Sequence, residues 1–325
     1  MTPDRPPGGL DDLAIVGPTA AGKSALAMGL TRLVSTAEIM SVDSMCVYRG
    51  MDIGTAKPPA ADRAEVPHHL LDMLDPHEDC SVAWFRDRAE EVRAATVGQM
   101  LLVGGTGLYH RAVVDRLAIP GRYPAVAAEL DTLSTAELRS RLESTDPVAA
   151  SRIDGGNRRR LLRALEVTIG SGRRFSDSGP GLGAYAPVPV VQVGLAIERA
   201  DLGRRIEQRL ADQMDSGFLA EVERIEAHVD GWSRTSERAL GYRHLLDHVR
   251  HGRPIEDCLR SALIDTRRFA LRQQKWFGRD PRIRWFDADS PTLVDSVFDW
   301  WVSSSDIRRA TSGVVDSLDD SGSFT

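Results

Sequence analysis

Leu13-Ala-Ile-Val-Gly-Pro-Thr-Ala-Ala-Gly-Lys-Ser24 is the stretch on which the fold turns. Leu13 to Val16 is a short apolar run, Gly17 to Ser24 fits G-x-x-x-x-G-K-[ST], and Ser24 to Leu33 sets apolar residues at helical spacing. Strand, glycine-containing loop and helix in that order make a phosphate cradle, because loop N–H groups and the positive end of the helix all face an anion. The candidate cradle is Gly17, Pro18, Thr19, Ala20, Ala21, Gly22, Lys23 and Ser24. Lys23 adds a full charge, and the Ser24 hydroxyl can ligate a phosphate-bound Mg²⁺.

Working outward, Glu38 to Val42 and Met100 to Val103 are further apolar strands, ending at Asp43 and at Gly104-Gly105-Thr106. A helix from about Val82 to Thr96 supplies a crossover between them. These units predict an α/β fold, a P-loop NTPase-like parallel sheet whose site lies at the carboxyl ends of the strands. Between residues 120 and 185 leucines recur at helical spacing without a convincing strand, so a helical insertion domain is expected there. The core is then 13–119 and 186–300, with a strand at Val188 to Ile197 and helices from Asp201 to Phe277. Residues 1–12 read as disordered, and 301–325, rich in Ser, Asp and Gly, as a loose tail.

The 325 residues are 42% hydrophobic and 27% charged, the usage of an ordinary globular protein. No apolar run is long enough to span a membrane and no leader pattern opens the chain, which points to the cytoplasm. Cys46, Cys80 and Cys258 are too scattered for a disulfide framework or a zinc site. A net charge of −6 argues mildly against nucleic acid as a partner, yet basic residues cluster at 152–174 and at 260–284. Such tracts suit either a local polyanion site or merely solvated helix faces. A P-loop by itself points first to a nucleoside triphosphate enzyme. Asp43 is the one good candidate for that enzyme's second magnesium-anchoring acid, and the strand ending in Gly-Gly-Thr offers none.

Further motifs narrow the reading. Ser41-Val-Asp-Ser44, Tyr48-Arg-Gly-Met-Asp-Ile-Gly-Thr-Ala-Lys-Pro58 and Val103-Gly-Gly-Thr-Gly-Leu-Tyr109 follow the cradle in order. They are joined by Arg163-Ala-Leu-Glu166, Arg205-Ile-Glu-Gln-Arg209, Gly217-Phe218 with Glu221-Val222, Gly241-Tyr-Arg243, and Arg272-Gln273 with Trp276. Together, over residues 13 to 286, they closely resemble the bacterial tRNA dimethylallyltransferase family. The resemblance implies transfer of a dimethylallyl group from dimethylallyl diphosphate to N6 of the adenosine 3′ to the anticodon. The cradle then grips diphosphate, helped by Mg²⁺ on Ser24 and by Arg205 or Arg209. It also implies catalytic roles for Lys23, for Asp43 as the base that takes the amine proton, and for Thr106 at the mouth of a reaction channel. A metal-anchoring role for Asp43 stays open, as does a mere turn at Gly104 to Thr106.

The partner implied is the tRNA anticodon stem-loop, with no obligate protein partner and a monomeric chain. Its contacts would come from Asp43, Ser44, Met45, Cys46 and Thr106 at the channel and from Arg159, Arg160 and Arg163 in the insertion. Arg238, Gly241, Tyr242, Arg243, Arg272, Gln273, Lys275 and Trp276 would supply the rest. Tyr242 and Trp276 are stacking surfaces or, equally, core. Departures from the family pattern are Cys46 where Gln is common, Ala127 for a tRNA-contacting Arg, and Leu271 and Gly278 where basic residues are frequent. Transfer to free AMP, ADP or ATP, a small-molecule kinase and a non-catalytic RNA-binding protein are the alternatives.

Overall fold

The computed structural model describes residues 9–179 and 181–319, with side chains as far as 308. The first unit begins with β1 (Asp12–Val16), α1 (Lys23–Leu33), β2 (Glu38–Ser41), α2 (Ala60–Glu65) and β3 (His68–His69). It continues with α3 (Val82–Ala95), β4 (Met100–Val103) and α4 (Gly107–Val114). Asp115–Ala186 forms a separate compact unit with α5 (Pro124–Asp131), α6 (Thr135–Thr145), α7 (Pro147–Arg152) and α8 (Arg158–Ser171). The first unit resumes with β5 (Val190–Ala196), α9 (Arg199–Asp215), α10 (Phe218–Glu226), α11 (Tyr242–His251) and α12 (Ile255–Phe277), and closes with β6 (Ile283–Asp287) and α13 (Leu293–Asp319).

All six strands pair in parallel in the order β3-β2-β4-β1-β5-β6. β1 and β4 are wholly buried, which is why they read as unbroken apolar runs rather than alternating ones. Connections leave β1 toward β2 on one side and later return to β5 on the other, so the carboxyl end of β1 lies at a topological switch point. The P-loop starts there. Hydrophobic clusters fill both faces of the sheet, one around Tyr48, Phe85, Phe218 and Tyr242, the other around Leu30, Val193, Val297 and Trp301.

In the helical unit, Leu130, Leu138, Leu142, Leu161 and Leu165 are buried together. A capping box at Ser134 and Glu137 starts α6, and Asn157 caps α8.

The structure corrects the reading of the chain ends. Asp12 already belongs to β1 and is buried, holding the Met100 N–H at 2.9 Å and Arg93 at 2.5 Å. Residues 1–8 and 320–325 lie outside the described residues. The stretch expected to be loose from 301 is helical to Asp319. Trp301 and Ser305, one turn apart, are fully buried, and both bind the backbone of Asp11, through Trp301 Nε1 to its carbonyl at 2.8 Å and from its N–H to Ser305 Oγ at 3.1 Å. An average over a polar tail hides two such anchors. β6 was not expected either: its run Ile283-Arg-Trp-Phe-Asp287 alternates too little to announce a strand.

Candidate active site

The cradle is built as its sequence dictates. Gly22, at φ 91°, turns the loop into α1 through a conformation that a side chain would oppose. Lys23 Nζ folds back on the loop, donating to the carbonyls of Pro18 at 2.7 Å and Gly17 at 3.2 Å. A cavity of about 450 Å³ opens over Gly22, Lys23 and Ser24, with Arg205, Arg209 and Asp212 of α9 facing them. Arg205 is tied to Asp289. Arg209 instead donates to neutral oxygens, Thr19 Oγ1 at 3.2 Å and the Thr55 carbonyl at 3.3 Å.

A second cavity, about 340 Å³, adjoins the first and shares Ala20 and Arg209 with it. Asp43, Ser44 and Met45 line it from the end of β2, Thr106 from the end of β4, and Thr19 from the P-loop. Asp43 Oδ1 accepts the Met45 N–H at 2.9 Å, and Thr106 Oγ1 accepts the Ser44 N–H at 3.4 Å. The opposite wall is apolar, with Ile206 and Leu210 of α9 and Leu263 and Phe269 of α12. Arg238, Arg243 and Arg272, all exposed, also border this cavity.

The electrostatics are those of a site short of negative charge. Burial first, then the neighbouring Arg209 guanidinium, pulls the Lys23 ammonium down to about 8, with Asp43 pulling weakly the other way. Burial likewise lowers Arg209 from its ordinary value. These two half-buried cations, whose hydrogen bonds among the described residues go to neutral oxygens, disfavour each other, a conflict that an anion would relieve. Cys46 is uncharged, its thiol pushed up to about 12 by burial and by Asp43.

Several residues read from sequence as RNA contacts also make contacts within the protein. Tyr242 is fully buried, donates its hydroxyl to Glu221 at 2.5 Å and meets Phe218 edge to face at 4.8 Å, so it forms wall rather than a stacking surface. Gln273 is buried, with both ends of its amide on backbone. Cys46 turns its Sγ toward the Thr55 carbonyl. Trp276 packs beside Phe277 and Val16. Gly241 is buried beside Phe218, and Arg243 is paired with Asp265. In the helical unit Arg163 donates to the Pro120 and Gly121 carbonyls and lies 2.9 Å from Glu166, whereas Arg159 and Arg160 are exposed without an ion pair among the described residues. Lys275 is exposed on α12, as are the departures Leu271 and Gly278. Arg282, from the second basic tract, is bound to Asp280 at 2.6 Å.

Sequence reasoning gave Glu221 no role. Its carboxylate accepts the N–H groups of Asp52 and Ile53 at 2.9 Å and of Gly54 at 3.1 Å. It thereby shapes the turn that presents the Thr55 carbonyl to Arg209. The spacing of Glu221 after Gly217-Phe218 was the available signal, but nothing local names its partners.

A parallel α/β sheet with a P-loop at its switch point, a lysine and an arginine over the loop, and an adjoining cavity lined by an aspartate define a class of enzyme that binds a phosphorylated ligand. The description IPP transferase matches residues 46–280, and the chain belongs to that family. It is 41% identical to a tRNA dimethylallyltransferase of Bifidobacterium longum over 94% of both chains. It is 45% identical to one of Kineococcus radiotolerans over 85% of this chain and 90% of the relative. The tRNA isopentenylpyrophosphate transferase of Bacillus halodurans superposes with a TM-score of 0.69 at 31% identity, covering 93% of this chain and 99% of the other. A eukaryotic dimethylallyltransferase acting on tRNA, at 21% identity and a TM-score of 0.73 over 95% and 79% of the two chains, shares the fold.

Proposed function

We propose that the chain moves a dimethylallyl group from dimethylallyl diphosphate to the N6 amine of the adenosine 3′ to the anticodon of tRNA, releasing diphosphate. The observation that carries this reading is the pair of adjoining cavities, one with the P-loop and the other with Asp43 and Thr106, meeting at Ala20 and Arg209. A diphosphate in the first leaves its allyl group in the second, against Ile206, Leu210 and Leu263. The allylic C–O bond breaks with its electron pair passing to diphosphate, where Lys23, Arg209 and the loop amides stabilise the charge as it develops. The amine nitrogen bonds to the allylic carbon, and its proton passes to Asp43. Thr106 orients the amine from the other side.

Ser24, open to the cradle at the start of α1, fits a Mg²⁺ carried mainly by the ligand's own phosphate oxygens. Among the described residues no cluster of three or more His, Cys, Asp or Glu could hold a metal without the ligand. When bound, the ion neutralises the leaving diphosphate. The adenine must leave its stack to enter the cavity, at a cost of a few kcal/mol that contacts to Arg238, Arg243 and Arg272 offset. No helix among the described residues is long and apolar enough to cross a membrane. Action on tRNA supports a cytoplasmic location. The deciding experiment incubates protein, Mg²⁺ and labelled donor with tRNA and weighs the digested nucleosides. An adenosine heavier by one prenyl group is expected; label found only on free AMP, ADP or ATP, or ATP turnover without the donor, overturns the reading.

A further inference from the structure

Gln273, on the inner face of α12, is only 6% exposed. Its Oε1 accepts the P-loop N–H of Thr19 at 2.8 Å, and its Nε2 donates to the Gly105 carbonyl at 2.8 Å. A backbone N–H can only donate and a carbonyl can only accept, so the amide has one permitted orientation and both its partners are fixed. The approach is close enough that a Cβ on Gly105 would lie 2.2 Å from Nε2. One turn on, Trp276 lies over Gly107, where a Cβ would sit 2.2 Å from Nε1. α12 therefore brackets Thr106 from both sides. Thr106 in turn holds the Ser44 N–H beside Asp43.

We infer that Gln273 is a positioning residue that sets the distance between the diphosphate cradle and the loop carrying Thr106. This rests on the transfer reading given above. Gln273 does not line either cavity and acts through Thr19 and Gly105. The leaving group is held by one of those loops and the acceptor amine by the other, so one side chain fixes their separation. A misplacement near 1 Å between reacting groups lowers rate by about 100-fold. The same helix exposes Arg272 at the edge of the second cavity, so RNA docked on that outer surface bears on the element that carries the clamp.

The test compares Gln273→Leu, which leaves Thr19 N–H and the Gly105 carbonyl without partners, with Gln273→Glu, which keeps an acceptor for Thr19 but sets an oxygen against Gly105. Transfer kinetics, tRNA binding and amide hydrogen exchange of residues 17–22 and 104–109 are measured on each full chain. For Gln273→Leu the expected result is a kcat 10- to 100-fold lower, tRNA affinity within twofold of the parent, and faster exchange in both segments. Gln273→Glu should speed exchange at 104–109 and leave 17–22 protected, a pattern that decides the matter even if the leucine variant does not fold. Weaker tRNA binding with unchanged kcat would make Gln273 an RNA contact and overturn the proposal, as would unaltered exchange in both variants. A parent protein that transfers nothing to tRNA defeats the transfer reading instead, while the exchange pattern still reports on the clamp.

Discussion

Lys23 sits where two demands conflict. On the proposed reading it must be charged to hold a diphosphate, yet burial and Arg209 bring its ammonium down to about 8 from 10.5. In the free protein it therefore begins to lose its proton near pH 8, and an arriving anion, which favours the charged form, restores it. Pyrophosphate binding should weaken as pH rises through about 8, and between about 8 and 10.5 it should take up a proton. Calorimetry in buffers of different ionisation enthalpy measures that uptake, and Lys23→Met should abolish both the uptake and the pH slope. The same shift bears on stability with a definite sign. The unfolded chain binds the extra proton between about 8 and 10.5, so this group costs stability below pH 8 and the cost is relieved as pH rises across that window. Asp43 gives a second test. Asp43→Ala should lower kcat by about 10² to 10⁴, the usual worth of a general base, with tRNA affinity within twofold. Equal loss of turnover and RNA binding, by kinetics and filter retention, would remove it from that role.

Elements carry the next level of argument. The 52–55 turn is held by Glu221 from α10 and by Gln213 from α9, whose Nε2 donates to the Ile53 carbonyl at 2.7 Å. Glu221→Ala would orphan three N–H groups and the Tyr242 hydroxyl at once. A loss of about 3 kcal/mol is expected from unsatisfied buried groups of this kind, seen as a drop of several degrees in Tm. α13 makes a parallel case. Trp301→Ala should cost about 3 to 5 kcal/mol, the range for emptying a buried aromatic site, whereas a truly loose segment would tolerate it; denaturant unfolding distinguishes the two. These elements also show what a sequence reader can see. β1, α1, β2, α3 and β4 were legible because apolar spacing and the glycine-lysine loop are local signals. Gln273 and Glu221 belong to the quoted motifs, but their contacts within the fold escape a local reading, because their partners lie 254 and 169 positions away along the chain. β6 escaped notice for a related reason: it becomes a strand through pairing with β5, while its own charged and aromatic residues favour no period.

For the molecule as a whole, the proposed division of labour follows the two compact units. Everything assigned to bond breaking and bond making lies in the first: the P-loop, Asp43, Thr106 and Arg209. In the second, Asp115–Ala186, the exposed Arg159 and Arg160 at the start of α8 have no ion pair among the described residues. On a chain of net charge −6, two unpaired guanidinium groups on one helical turn are a local attraction for phosphate, not a share in a general positive field. Converting both to alanine should therefore weaken tRNA binding and reduce the slope of log affinity against log salt by about one to two, since each lost phosphate contact removes up to about 0.9 of a released counterion. Pyrophosphate affinity and kcat at saturating tRNA should stay within twofold, because nothing in the cradle or the adjoining cavity depends on these side chains. Nitrocellulose retention across a salt series, paired with calorimetry of pyrophosphate, separates the outcomes. An unchanged slope would show that the arginines are merely solvated, and a fall in kcat at saturation would show that this helix reaches the chemistry after all.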